Sequence, residues 1–315
     1  MVSRRQVLGG GAVAAAAFLI PSGLRISSAS AAAVPGGTLD PTTIRKYGTP
    51  LFILPAMPEV ASGGGSSGLD TYSIAARRIS QQILPNGSPA STVFAYGSTT
   101  AASSFHYPAF TIEARTGRQV RATWANQLVD GNNRFIPHLF AIDQTLHWAN
   151  PPGGTAGRDS KPTFTSTPGP YRGPVPLVTH LHGAHSFEES DGYPEAWYLP
   201  TASNIPSGYA RVGSFYDQFK SEAQSRNGVN WSPGTATFQY TNDQRATGLW
   251  YHAHELGMTR VNVGLESRPV RPPGGLAQCR VWSIANSGGT KSPEPVRSWF
   301  HQVTRVWRPV RASIV

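Results

Sequence analysis

The sequence predicts an all-β protein, most simply a β-sandwich, and three observations carry that expectation. Charged residues make up 14% of the 315, while 33 glycines and 27 prolines supply turns. That mix suits short strands joined by loops better than helical bundles. Apolar side chains recur at every second position in several segments, which turns one face of each toward a core. No stretch shows sustained helical periodicity, and there is no internal repeat.

The chain opens with Ser3-Arg4-Arg5-Gln6-Val7-Leu8, runs through an apolar, alanine-rich stretch from Val7 to Ile20, and then reaches Pro21 and Ala29-Ser30-Ala31-Ala32-Ala33. A charged start, an apolar middle and a small-residue end have the layout of a cleavable signal peptide, expected over residues 1–33. The paired arginines resemble a twin-arginine signal, so export to the periplasm, cell envelope or exterior is expected. The apolar run is about 14 residues, short of the roughly 20 that cross a bilayer, so no stable membrane span is expected. Residues 34–69, rich in Pro, Gly and Ser, read as an irregular arm.

Strand-like alternation follows. In Phe110-Thr111-Ile112-Glu113-Ala114-Arg115 and again in Val120-Arg121-Ala122-Thr123-Trp124 the apolar side chains alternate, with Thr116-Gly117-Arg118 between them as a turn. The pair reads as a β-hairpin with one face buried. Tyr72 to Ile83, Val93 to Tyr96, Leu177 to His182, Thr237 to Tyr240 and Leu249 to His254 are further candidate strands. Residues 139–172 and 199–235, rich in Pro, Gly, Ser and Asn, read as long surface loops.

The net charge of +10 suggests nucleic acid, but its location argues otherwise. Residues 1–33 hold Arg4, Arg5 and Arg25 without an acid, and residues 264–315 hold eight basic residues against Glu266 and Glu294. Removing these from the 27 basic and 17 acidic residues leaves 16 against 15 in the middle of the chain. A nucleic-acid-binding face needs its charge on the folded body, so no nucleic-acid partner is expected. The single cysteine, Cys279, excludes an internal disulfide framework.

The chemistry is concentrated in two His-X-His pairs, His180-Leu181-His182 and His252-Ala253-His254. On a strand, residues i and i+2 share a face about 6.5–7 Å apart, so each pair projects two imidazoles the same way. One such pair is ordinarily a surface feature. Two, each following an apolar run (Pro176 to Thr179; Leu249 to Tyr251), point to a metal, and imidazole suits copper, zinc, iron and nickel. No cysteine or carboxylate adjoins the first pair, which leans the choice toward copper. An overlapping pattern, His180-X-His182-X-X-His185, resembles the zinc motif of metallo-β-lactamase-like hydrolases, although Ala184 stands where that family has an acid. Asp191, nine residues beyond His182, is a candidate proton donor beside a metal-bound oxygen; the alternative is a turn aspartate before Gly192.

Two longer stretches carry a family resemblance. His180-Leu181-His182-Gly183 with Ser190-Asp191-Gly192-Tyr193-Pro194-Glu195-Ala196-Trp197, and Leu249-Trp250-Tyr251-His252-Ala253-His254 with Gly257-Met258-Thr259-Arg260-Val261-Asn262-Val263, resemble the first and second copper motifs of bacterial multicopper oxidases. The branch most alike is that of spore-coat laccase, bilirubin oxidase and phenoxazinone synthase. The resemblance covers residues 70–263. It implies a cupredoxin-like (plastocyanin-like) Greek-key β-sandwich with long loop insertions and unstructured ends, the first of three domains in a complete enzyme. It further implies a trinuclear copper cluster, with His180 on the type 2 copper, His182 and His252 on one type 3 copper, His254 on the other, and Asp191 delivering protons. O2 and a small reducing substrate (a phenol, an aromatic amine or a metal ion) are the implied partners. Ala253 departs from the Asp or Ser often found at that position.

The family's third domain, with four more cluster histidines and the type 1 copper ligands, has no match here. Cys279, in Gln278-Cys279-Arg280, lies outside any His-Cys-His pattern. The resemblance stops at Val263; beyond it the composition turns basic, with three Trp and no strand alternation. Residues 264–315 therefore read as a non-homologous basic tail, either a divergent C-terminus or the product of a shifted frame or a rearranged gene. The expectation is a truncated multicopper oxidase without turnover of its own, whose natural packing partners are domains 2 and 3. The alternatives are a non-catalytic copper-binding module and an inactive fragment.

Overall fold

The computed structural model describes residues 40–60, 68–263 and 279–285. The expected signal peptide, residues 1–33, lies outside the described residues, as do 264–278 and 286–315 of the expected tail. The strands, in chain order, are β1 (Leu69–Gln81), β2 (Ser91–Ser98), β3 (Ile112–Arg115), β4 (Gln119–Asn126), β5 (Trp148–Ala149), β6 (Asp159–Ser160), β7 (Thr179–His182), β8 (Thr235–Tyr240), β9 (Gly248–Ala253) and β10 (Cys279–Ala285). Each candidate strand in the sequence corresponds to one of these.

Two mixed four-stranded sheets result, ordered β2-β1-β4-β8 and β3-β10-β9-β7. In the first, β1 runs antiparallel to β2 and parallel to β4, and β8 closes antiparallel on β4. In the second, β9 lies antiparallel to both β10 and β7. The sheets meet through a buried aromatic cluster. Tyr251 of β9 lies 5.7 Å from Tyr96 of β2 and 5.1 Å from Trp124 of β4, ring centre to ring centre. Tyr96 also shares a hydrogen bond between its hydroxyl and that of Thr179, at the start of β7. The alternation explains this: Val120, Ala122 and Trp124 turn inward from β4, and Ile112 and Ala114 from β3.

Four expectations need correction. The segment 110–124 forms two strands around a turn at Gly117 (φ +75°), as expected, but they do not pair with each other. β3 pairs with β10 and β4 with β1 and β8, so the turn carries the chain between sheets rather than closing a hairpin. Residues 199–235 are not all loop, because Tyr216–Asn227 is a helix of 12 residues ended by Gly228 (φ +63°). It buries only Tyr216, Phe219 and Ala223, too narrow a stripe to register as periodicity. The described residues are therefore mostly β with few helices rather than all-β. Within 139–172, β5 pairs with β6. Finally, Cys279–Ala285 from the expected tail is a strand, parallel to β3 and antiparallel to β9.

The described part of the arm, residues 40–60, is irregular but anchored. Met57 N–H donates to Thr111 O at 2.6 Å, Thr111 N–H to Pro55 O at 2.9 Å, and Met57 is buried. Among the described residues no helix is long and apolar enough to cross a membrane.

Candidate metal centre

The ladder between β7 and β9 builds the site. Its register sets His180 directly opposite His252, and His182 opposite Trp250. Leu181, Tyr251 and Ala253 face the interior and are buried. The strand period therefore turns His180, His182, Trp250 and His252 to the other, outer face. His254 follows β9, and its N–H donates to Val178 O at 2.9 Å, which extends the ladder by one bond.

On that face His180, His182 and His252 each offer a ring nitrogen, and all three lie within 4.8 Å of one another. His182 Nδ1 and His252 Nε2 approach to 3.4 Å. His254 stands beside them, its ring stacked on His180 with centroids 4.6 Å apart. Backbone carbonyls orient three of the four rings. His180 Nδ1–H donates to Asp191 O, His254 Nδ1–H to Gly192 O at 3.0 Å, and His252 Nδ1–H to Ala253 O at 2.8 Å. A carbonyl accepts only, so these bonds place the proton on Nδ1 and leave Nε2 unprotonated. Burial lowers the pKa of His180 and takes that of His252 down to about 4. Both are neutral at neutral pH, as a metal ligand must be.

The Asp191–Gly192 turn that supplies two of these carbonyls needs a glycine. Gly192 has φ +79°, and a Cβ there would lie 2.1 Å from Thr179 O and 2.8 Å from His180 Cα. The Asp191 carboxylate lies 3.6 Å from His180 Nδ1, accepts a hydrogen bond from the Ser186 hydroxyl at 2.9 Å, and is 40% exposed. Asp191 thus touches the site twice, through its carbonyl and its carboxylate; the sequence pointed only to the second.

The structure brings together the two His-X-His pairs and Asp191. It does not bring His185 with them: that exposed ring pairs with Asp243 at 3.1 Å, so the zinc-hydrolase pattern finds no third converging histidine in it. Sequence reasoning missed Glu255. Its carboxylate is fully buried and accepts from Val178 N–H and from Asn262 Nδ2–H, each at 2.6 Å. Burial raises its pKa to about 7. Together with the His254 bond to Val178, it ties the end of β9 to the start of β7. The cue available in the sequence was an acid directly after a histidine pair and before an apolar residue, Leu256.

No family model matches the chain. Several curated proteins do. A multicopper oxidase LPR1 homolog from Oryza sativa subsp. japonica is 33% identical over 175 residues, 56% of this chain and 21% of that protein. A laccase from Haloferax volcanii is 30% identical over 265 residues, 83% of this chain and 34% of its own length. A laccase from Bacillus subtilis is 29% identical over 157 residues, 50% and 21% respectively. The chain thus spans 21% to 34% of the length of these relatives. Among solved structures, a laccase from Pediococcus acidilactici superposes with a TM-score of 0.40 at 15% identity, covering 78% of this chain and 32% of that one.

Proposed function

We infer that this chain is part of a multicopper oxidase, a cupredoxin-like sandwich whose β7–β9 ladder presents about half the ligands of a trinuclear copper centre. The observation that carries the reading is the approach of His182 Nδ1 and His252 Nε2 to 3.4 Å, beside two imidazoles whose Nε2 atoms are free. Two bonds of about 2.0–2.1 Å meeting at a tetrahedral angle separate their donors by about 3.3 Å, so one ion fits between these nitrogens. A neutral, all-imidazole donor set suits copper.

On this reading His182 and His252 hold one type 3 copper, His254 the other, and His180 the type 2 copper. Copper held there supplies one-electron redox chemistry toward dioxygen. The protein's own residues do the rest. The Asp191 and Gly192 carbonyls orient His180 and His254. The partly exposed Asp191 carboxylate, beside His180, is placed to carry protons inward from solvent, as reduction of O2 to water requires. The reducing partner is a phenol, an aromatic amine or a metal ion, and the protein acts after export.

Four histidines are too few for the whole cluster, so the 315-residue chain alone binds copper without consuming oxygen. The test is copper loading of the purified chain, followed by metal analysis and an oxygen electrode. Roughly one or two ions per chain are expected, lost when His182 and His252 are both replaced by alanine, with no oxygen uptake on adding a phenol. A chain that takes up no copper sinks the reading, and steady oxygen uptake sinks the statement that it is inactive alone.

A further inference from the structure

Three of the four imidazoles owe their orientation to a backbone carbonyl; His182 does not. Among the described residues the one hydrogen-bond contact of the His182 ring is with His252, the nitrogen it would share an ion with. The His182 ring is also exposed. Something else must fix its plane.

That something is Trp250. It lies opposite His182 in the ladder and two residues before His252 on the same face of β9. The indole stacks on both rings: its centroid is 4.9 Å from that of His182 with planes 22° apart, and 4.0 Å from that of His252 with planes 26° apart. One rigid plane therefore serves as the reference for the two imidazoles whose nitrogens converge. The stack also explains how His252 can be 3% exposed on an outer face, since the indole and the neighbouring imidazoles cover it.

We propose that Trp250 is a positioning residue of the metal centre, holding the ring planes of His182 and His252 so that Nδ1 of one and Nε2 of the other point at one ion. The proposal rests on the metal reading of the histidines. Groups outside the ligand set that orient a ligand typically contribute about 10–100-fold in metal affinity, and an aromatic face does so here in place of a hydrogen bond.

The experiment compares the full 315-residue chain with Trp250→Phe and Trp250→Leu. Affinity for Cu(II) is read by calorimetric titration, and bound imidazoles are counted by nitrogen hyperfine structure in electron paramagnetic resonance. Trp250→Phe keeps an aromatic face and should stay within about threefold of wild type. Trp250→Leu keeps bulk without the face and should weaken binding by about 10–100-fold, with one imidazole fewer in the spectrum. Thermal unfolding of the metal-free proteins should be alike, because Trp250 lies outside the core. Trp250→Leu with wild-type affinity and nitrogen count overturns the role of Trp250 and leaves the histidine site standing. Equal loss in both variants overturns stacking as the cause. Absence of copper binding in the wild type removes the histidine site and the proposal with it.

Discussion

The two faces of the β7–β9 ladder are built from neighbouring residues and solve opposite problems. Inward, Leu181, Tyr251 and Ala253 meet Tyr96 and Trp124 across the sandwich. What matters there is filled volume, and the contacts are many and individually weak. Outward, His180, His182, Trp250 and His252 are arranged by direction: each nitrogen is aimed by a carbonyl or an aromatic plane. The difference teaches that one strand can carry stability and chemistry independently, because alternate side chains never share a face. Substitutions on the inner face should cost stability, and those on the outer face should cost metal binding.

The largest effect is expected from Trp124→Ala, which empties the centre of the inner cluster. Unfolding free energy should fall by about 3–5 kcal/mol in denaturant titration. Gly192→Ala comes next and crosses the division. Its left-handed backbone and the carbonyl at 2.1 Å force the turn to move, so stability should drop by about 1–3 kcal/mol and copper affinity should fall with it. If affinity were unchanged, the Asp191 and Gly192 carbonyls would not be what aims His180 and His254.

His138 is an imidazole treated in the interior's way. Its Nε2 is buried without a hydrogen-bond partner among the described residues, beside Tyr171, and burial pulls its pKa down to about 3. The folded state therefore disfavours the protonated ring. Its contribution is whole above the unfolded value near 6.5 and is lost as pH falls toward 3. Relative to His138→Gln, the wild type should lose up to about 1.4 kcal/mol per pH unit across that range; parallel pH profiles would show that the ring takes up its proton alike in the folded and unfolded states. The smallest effect on stability should come from His182→Ala, whose ring is exposed, about 1 kcal/mol or less, yet copper content measured on the same sample should fall. A large loss of stability with copper retained would reverse the assignment of the two faces.

Much of this was legible because strand alternation and His-X-His spacing are local signals. Ile112 and Ala114, or His180 and His182, declare their faces without reference to the rest of the chain. What was not legible depended on partners far away. Thr116-Gly117-Arg118 has the look of a hairpin turn, but whether β3 and β4 pair is decided by β10 and β1. Glu255 reads as a solvent acid until Val178 and Asn262 are placed around it. The helix Tyr216–Asn227 was hidden for another reason: its three buried side chains, spaced i, i+3 and i+7, make too thin a stripe among twelve residues. Cys279–Ala285 alternates too weakly to name its face, and its place in the sheet comes from β3 and β9.

The pairing of His180 with His252 has one more consequence, for fidelity of folding. A slip of β7 against β9 by one residue would turn every side chain of one strand over. Imidazoles would then enter an aromatic interior, and Leu181 or Tyr251 would be left in water. The wrong alignment is penalised on both surfaces at once, so the alternation that separates the two tasks also proofreads the ladder that carries them.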